Sequence, residues 1–269
     1  MGAGALTVLC CIVLHIQVDL ISQVVEAHAH AEAKRGYFHA LNTETLEIIM
    51  INTVIFDMDG VLIDSEPIHQ RVNLGYFKNL GASVSQDFYD QNFIGLPVEQ
   101  MLIYLKKEYN LEKSLTNMMK ESSSLLFEDF AQSELAPMEG VEALLKGIKE
   151  RGYNLAVGSS SSKELIALII RKLGMRDYFH YLVSGYQVER GKPHPDLFLK
   201  IAEMFQVSPE NCVVIEDSSL GLEAAYRAGM NAVGVESPAS RQDMSRASIT
   251  VSCFNSSERK KILSALKNW

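Results

Sequence analysis

Asp57 and Asp59 stand two residues apart at the end of a short apolar run, Val54-Ile55-Phe56. The length and β-branched content of that run suit a buried strand of a parallel sheet. If strand geometry persists past Phe56, the two carboxylates share a face. Like charges held that close resist joint ionisation unless a cation or a shared proton relieves them. Gly60 comes next, and a glycine lets the chain turn. The chemistry on offer is metal-assisted acid/base or nucleophilic work. Taken alone, the Asp-x-Asp-Gly unit reads equally well as a polar turn after a strand.

Further polar groups fall at comparable places. The apolar stretch Tyr153 to Val157 runs into Gly158 and then four serines, Ser159 to Ser162. The stretch Cys212 to Ile215 runs into Glu216, Asp217 and Ser218. Lys192 sits between Arg190 and Asp196, where Pro193 and Pro195 forbid regular structure. Ligands of open parallel sheets bind beyond the carboxyl ends of the strands. Such a fold would therefore gather Asp57, Asp59, Ser159, Ser160, Lys192, Glu216 and Asp217 at one edge.

These parts fit phosphoryl transfer. The acids would bind Mg²⁺, which prefers oxygen ligands. Asp57 would attack phosphorus, and Asp59 would protonate the leaving oxygen and later activate water. Ser159, with Ser160 beside it, and Lys192 would hold the phosphate oxygens. Singly, each residue has a plainer reading. Ser159 in a serine run reads first as a helix cap, Lys192 as a solvated surface charge, and Glu216-Asp217 as acids placed on the dipole of the next helix. Asp64, Ser65 and Glu66 read as capping or hinge residues, and His194 as structural.

The elements that must position these residues alternate. Helices are predicted over His69 to Leu80, Ser85 to Asn92, Val98 to Tyr109 and Ser114 to Phe130, with no strand among them. After Pro137 the pattern returns to strand and helix. It gives helices at Val141 to Glu150, Lys163 to Leu173, Pro195 to Phe205, Leu220 to Ala228 and Ser257 to Leu266. Strands are expected at Tyr181 to Ser184 and Ala232 to Val235. This alternation argues for an α/β fold with a doubly wound parallel sheet, Rossmann-like, and an inserted helical lobe.

The bulk properties exclude some functions. A formal net charge of −8 over 269 residues, without a basic run, argues against nucleic acid and anionic membrane as partners. Cys10, Cys11, Cys212 and Cys253 offer neither a disulfide framework nor a zinc spacing. A reducing, cytoplasmic setting fits them. Residues 1–49 read as an extension: an upstream start, a targeting segment or a loosely docked helix. Its apolar run, Ala3 to Leu14, lacks a positive flank and is too short to span a membrane. His28, His30 and His39 read as a solvated tract.

With these motifs in order, the chain resembles the haloacid dehalogenase-like hydrolase superfamily, in the branch of β-phosphoglucomutase and small sugar-phosphate phosphatases. Asp57-Met-Asp-Gly-Val is similar to its first motif and Val157-Gly-Ser159 to its second. Gly191-Lys192-Pro-His-Pro-Asp is similar to the third and Ile215-Glu216-Asp217-Ser218 to the fourth. The resemblance implies Asp57 as a phosphoaspartyl nucleophile, Asp59 as acid/base, and Ser159 and Lys192 as phosphate ligands. It implies Mg²⁺ on Asp57, the backbone of Asp59, and Asp217, with Glu216 in support. It also implies a core of residues 50–65 and 135–269, and a helical cap of residues 66–134. Asp59 favours phosphoryl over dehalogenase chemistry. Val98 stands where mutases of this kind carry a cap arginine after a loop glycine, here Gly95. The expectation is a phosphatase of a small phosphorylated metabolite, with a phosphohexomutase as second reading and a non-catalytic phosphate-binding regulator as third.

Overall fold

The computed structural model of the chain describes residues 51–236 and 242–269. The readings placed on residues 1–49 lie outside them. Six parallel strands form one sheet among the described residues: β1 (Thr53–Phe56), β2 (Asn154–Ser159), β3 (Tyr181–Ser184), β4 (Cys212–Glu216), β5 (Asn231–Val235) and β6 (Ile249–Val251). Their order is β3-β2-β1-β4-β5-β6. β1 therefore lies between β2 and β4, with Phe56 in register with Val157 on one side and Ile215 on the other. That register brings the ends of three strands side by side.

The strands are apolar because both faces are covered. Val54 and Phe56 pack on one face with α5 (Val141–Lys149), α6 (Lys163–Lys172) and α9 (Ser256–Asn268). Ile55, one residue out of phase, packs on the other with α7 (Asp196–Phe205) and α8 (Ser219–Arg227). This period of two is what a doubly wound sheet requires.

Between β1 and α5 the chain makes four helices: α1 (Glu66–Asn79), α2 (Gln86–Asn92), α3 (Val98–Glu108) and α4 (Leu115–Gln132). They enclose an apolar cluster of their own around Phe77, Tyr89, Phe93, Leu102 and Leu105. The chain leaves for this insert and returns from it at one point. Ile63 and Pro137 form an antiparallel bridge, and Met138 N–H donates to Leu62 O at 2.9 Å. Lys172, at the end of α6, donates to Phe130 O, Ala131 O and Ser133 O at 2.7–3.0 Å. It thereby satisfies carbonyls that the end of α4 leaves open.

Several sequence expectations are corrected. β1 stops at Phe56, so strand geometry does not carry Asp57 and Asp59 onto one face. β2 runs on through Gly158 and Ser159, because both pair with β3. Ser159 is thus the last residue of a strand, and the helix after it is capped by Ser162. Ser65 stands at the N-cap of α1 without a capping hydrogen bond. β6 carries no sequence signal: three residues at a sheet edge are too short to show a period.

Candidate active site

The Asp57 N–H still belongs to the sheet, donating to Ile215 O at 2.9 Å. Beyond it the chain coils tightly, with Leu62 N–H returning to Met58 O at 2.9 Å. Gly60 makes this possible at φ +74°. It also makes room, since a Cβ there would lie 1.9 Å from Asp217 Oδ2. A single glycine therefore both turns the first loop and lets the fourth-strand acid approach it.

Asp57, Glu216 and Asp217 each offer a carboxylate oxygen, all within 4.8 Å of one another. Burial first, then the Glu216 charge, push the Asp57 carboxyl up to about 8, against the pull of Lys192. Burial, then Glu216 and Asp57, push Asp217 up to about 9. Ser218 donates its hydroxyl to Glu216 Oε1 and accepts from Gly221 N–H at 3.1 Å as the cap of α8. Glu216 is thereby fixed in place.

Lys192 is the facing cation. Its Nζ lies 2.5 Å from Asp57 Oδ1 and 3.4 Å from Glu216 Oε2, with only 6% of the side chain exposed. Burial opposes its charge, but the Asp57 and Glu216 carboxylates outweigh that and hold its pKa above the ordinary lysine value. One ammonium does not balance three clustered acids. An all-oxygen donor set with surplus negative charge suits a hard divalent cation, so the residues present fit a metal of that kind.

Asp59 turns away from this cluster. Ser65 Oγ donates to its Oδ1 at 2.6 Å, and Ser161 Oγ to its Oδ2 at 3.2 Å. His69 Nε2 lies 3.5 Å from Oδ1. Burial would raise the Asp59 pKa, yet His69, then Ser65 and Ser161, bring it below the ordinary value. About a third of the side chain (32%) reaches solvent, which screens these contacts. The same partnership raises His69 against the effect of its burial. The Asp59 carboxylate is therefore outside the three-acid cluster, which leaves its backbone, the group the resemblance implies, as the part of Asp59 available to a metal.

Ser159 is buried, and its Oγ accepts from Ser161 N–H at 3.1 Å. Ser160 is exposed, and its hydroxyl takes no part in these bonds. Sequence reasoning missed Ser161 and gave Ser65 the wrong task. A run of four serines does not say which hydroxyl faces across to a residue 102 positions away. Ser65, six residues from Asp59, could have been suspected from the tight turn at Gly60.

The profile of the haloacid dehalogenase-like hydrolases matches residues 54–235. A phosphorylated carbohydrates phosphatase of Thermotoga maritima is 32% identical over 186 residues, covering 68% of this chain and 84% of that protein. The β-phosphoglucomutase of Bacillus subtilis is 30% identical over 197 residues, 69% of this chain and 83% of that protein. Among solved structures, β-phosphoglucomutase from Clostridium difficile aligns at a TM-score of 0.68 and 25% identity, over 81% of this chain and 98% of that one.

Proposed function

The chain belongs to the haloacid dehalogenase-like hydrolases, enzymes acting on phosphate esters, and we propose that it is a Mg²⁺-dependent phosphatase of a small phosphorylated metabolite, in particular a sugar phosphate. The observation that carries this reading is the convergence of Asp57, Lys192 and the Glu216-Asp217 pair at one end of β1 and β4, with Asp59 beside them. The relatives support the substrate class, since one is named for phosphorylated carbohydrates. The free thiols of Cys212 and Cys253 support a reducing, cytoplasmic setting.

Asp57 Oδ attacks phosphorus in line with the leaving oxygen, and a phosphoaspartate forms as the P–O ester bond breaks. Asp57, Asp217 and the Asp59 backbone, with Glu216 in support, would hold a Mg²⁺ ion, which would supply positive charge against the approaching phosphate. The Lys192 ammonium, already against Asp57, pairs with the phosphoryl oxygens as charge shifts onto them. Ser159 and Ser160 donate to the same oxygens. Asp59 begins ionised. An arriving phosphate dianion raises its pKa, so it takes up a proton and delivers it to the leaving alkoxide. Asp59 then removes a proton from the water that attacks phosphorus, and free phosphate leaves Asp57 regenerated. His69, in contact with Asp59, is the neighbouring proton store.

Residues 66–134 act as a cap over this site. The loop from Phe93 to Val98 carries no basic side chain, which supports a substrate with one phosphate over a bisphosphate. The mutase named among the relatives keeps phosphohexomutase as the alternative. The test is a panel of sugar phosphates assayed for released phosphate, with Mg²⁺ and with EDTA, on wild type and Asp57→Asn. Mg²⁺-dependent release that vanishes in Asp57→Asn is expected. Conversion of glucose 1-phosphate, primed by a bisphosphate and without phosphate release, would establish the mutase. Absence of both activities would leave the regulator.

A further inference from the structure

We infer that Gln242 is a positioning residue: its side-chain amide, clamped to the start of α8, is the stop on which the insert loop around Gly95 seats. Gln242 lies beyond β5 and belongs to none of the motifs. Its Oε1 accepts from both Ser219 N–H and Ser219 Oγ, each at 2.8 Å. Ser219 Oγ in turn accepts from Asp243 N–H at 2.6 Å. Two donors on one oxygen fix the plane of the amide, and the NH₂ end must then point away from α8.

On that side lies Gly95. A Cβ built there would come within 2.4 Å of Gln242 Nε2 and 3.6 Å of its Cδ. The loop side of the contact is as firmly held as the core side. Leu96 N–H closes a turn onto Phe93 O at 2.9 Å. Phe93 packs edge-on against Phe77, Phe88, Tyr89 and Tyr104. Two rigid pieces, one from the insert and one from the core, thus meet through a glycine and an amide.

The anchor is well chosen. Ser219 is two residues from Asp217, and its neighbour Ser218 bonds Glu216. The loop is therefore registered against the same helix start that holds the acids. A loop seated there is held at a fixed place relative to the acids, and so fixes where any part of the substrate that it touches lies.

The test uses full-length protein and two readouts. The first is amide exchange of Phe93 to Leu96, which does not depend on the assigned activity. In Gln242→Ala it should rise about tenfold or more, with exchange of β1 and β4 unchanged. The second rests on the phosphatase reading and uses p-nitrophenyl phosphate. Gly95→Ala should lower kcat/KM about tenfold in the wild-type background and clearly less in Gln242→Ala, where the added methyl meets no amide. Its cost in Tm should be larger in the wild-type background, where the clash with the amide adds to the strain of φ +75°, than in Gln242→Ala, where the strain acts alone. Wild-type exchange in Gln242→Ala would overturn the inference, as would an equal kcat/KM penalty in both backgrounds. If no background hydrolyses the ester, the phosphatase reading fails and the exchange result alone decides the seat.

Discussion

Replacing Gly60 by alanine, with Gly81→Ala as its control, separates backbone strain from damage to the acidic cluster. Both glycines have left-handed φ, +74° and +85°. An L residue in that region costs about 1–2 kcal/mol. At Gly81 a Cβ meets nothing within 4 Å, so that cost is the whole effect. At Gly60 the Cβ would lie 1.9 Å from Asp217 Oδ2 and 2.5 Å from Asp217 Cγ. The carboxylate must retreat by about 1.5 Å to reach ordinary contact. Mg²⁺ demands near-ideal octahedral geometry, and a misplacement of about 1 Å is enough to cost about 10²-fold in rate. Both variants should lose a few degrees in Tm. Gly60→Ala alone should bind Mg²⁺ more weakly by calorimetry and lose about 10²-fold in kcat/KM. Wild-type Mg²⁺ affinity and turnover in Gly60→Ala would refute the account of the cluster.

Other outcomes arise from the charges. Asp57 and Asp217 have folded pKa values raised from 3.8 to about 8 and about 9. The metal-free native state therefore holds protons that the unfolded chain releases, and its stability should fall as pH rises from about 4 to about 8. Mg²⁺ must displace those protons, so its Tm increment should be larger at about pH 8 than at about pH 5.5; equal increments would contradict the shifts. Lys192→Met leaves Asp57 and Glu216 facing each other without a cation. It should abolish phosphate release while raising the Asp57 pKa further, seen as metal binding that shifts to higher pH. Asp59→Asn cannot move a proton and should cost about 10²–10⁴-fold in kcat with Mg²⁺ affinity nearly unchanged, because its side chain is outside the cluster. Lys172→Met removes the donor to three carbonyls at the end of α4 and should lower Tm by about 2–4 °C without changing Mg²⁺ affinity.

The strand ends are legible in the sequence because a parallel sheet imposes one rule on every motif. An apolar run buried on both faces gives way to polar residues at the same edge. That rule puts Asp57, Glu216 and Asp217 together, and Lys192 joins them from the connection between β3 and α7. It does not orient side chains. Asp59 shares the loop of Asp57, yet it faces Ser65, His69 and Ser161, because β1 ends at Phe56 and the turn at Gly60 redirects the chain. Ser161 as a partner of Asp59 depends on a contact that local spacing does not encode. Gln242 is invisible in the sequence for the same reason: its partners, Ser219 and Gly95, are far from it along the chain, Ser219 by 23 positions.

The bridge between Ile63 and Pro137 has a consequence for how such a protein could change. Outgoing and incoming chain lie side by side, one hydrogen bond apart, so the sheet registers of β1 do not depend on how much polypeptide is looped out between them. Helices could be lengthened, shortened or exchanged in that excursion while the strand beneath kept its neighbours. If the insert selects the reactant, as proposed, that selectivity is free to drift on one side of a fixed staple while the acids on the other side keep their places.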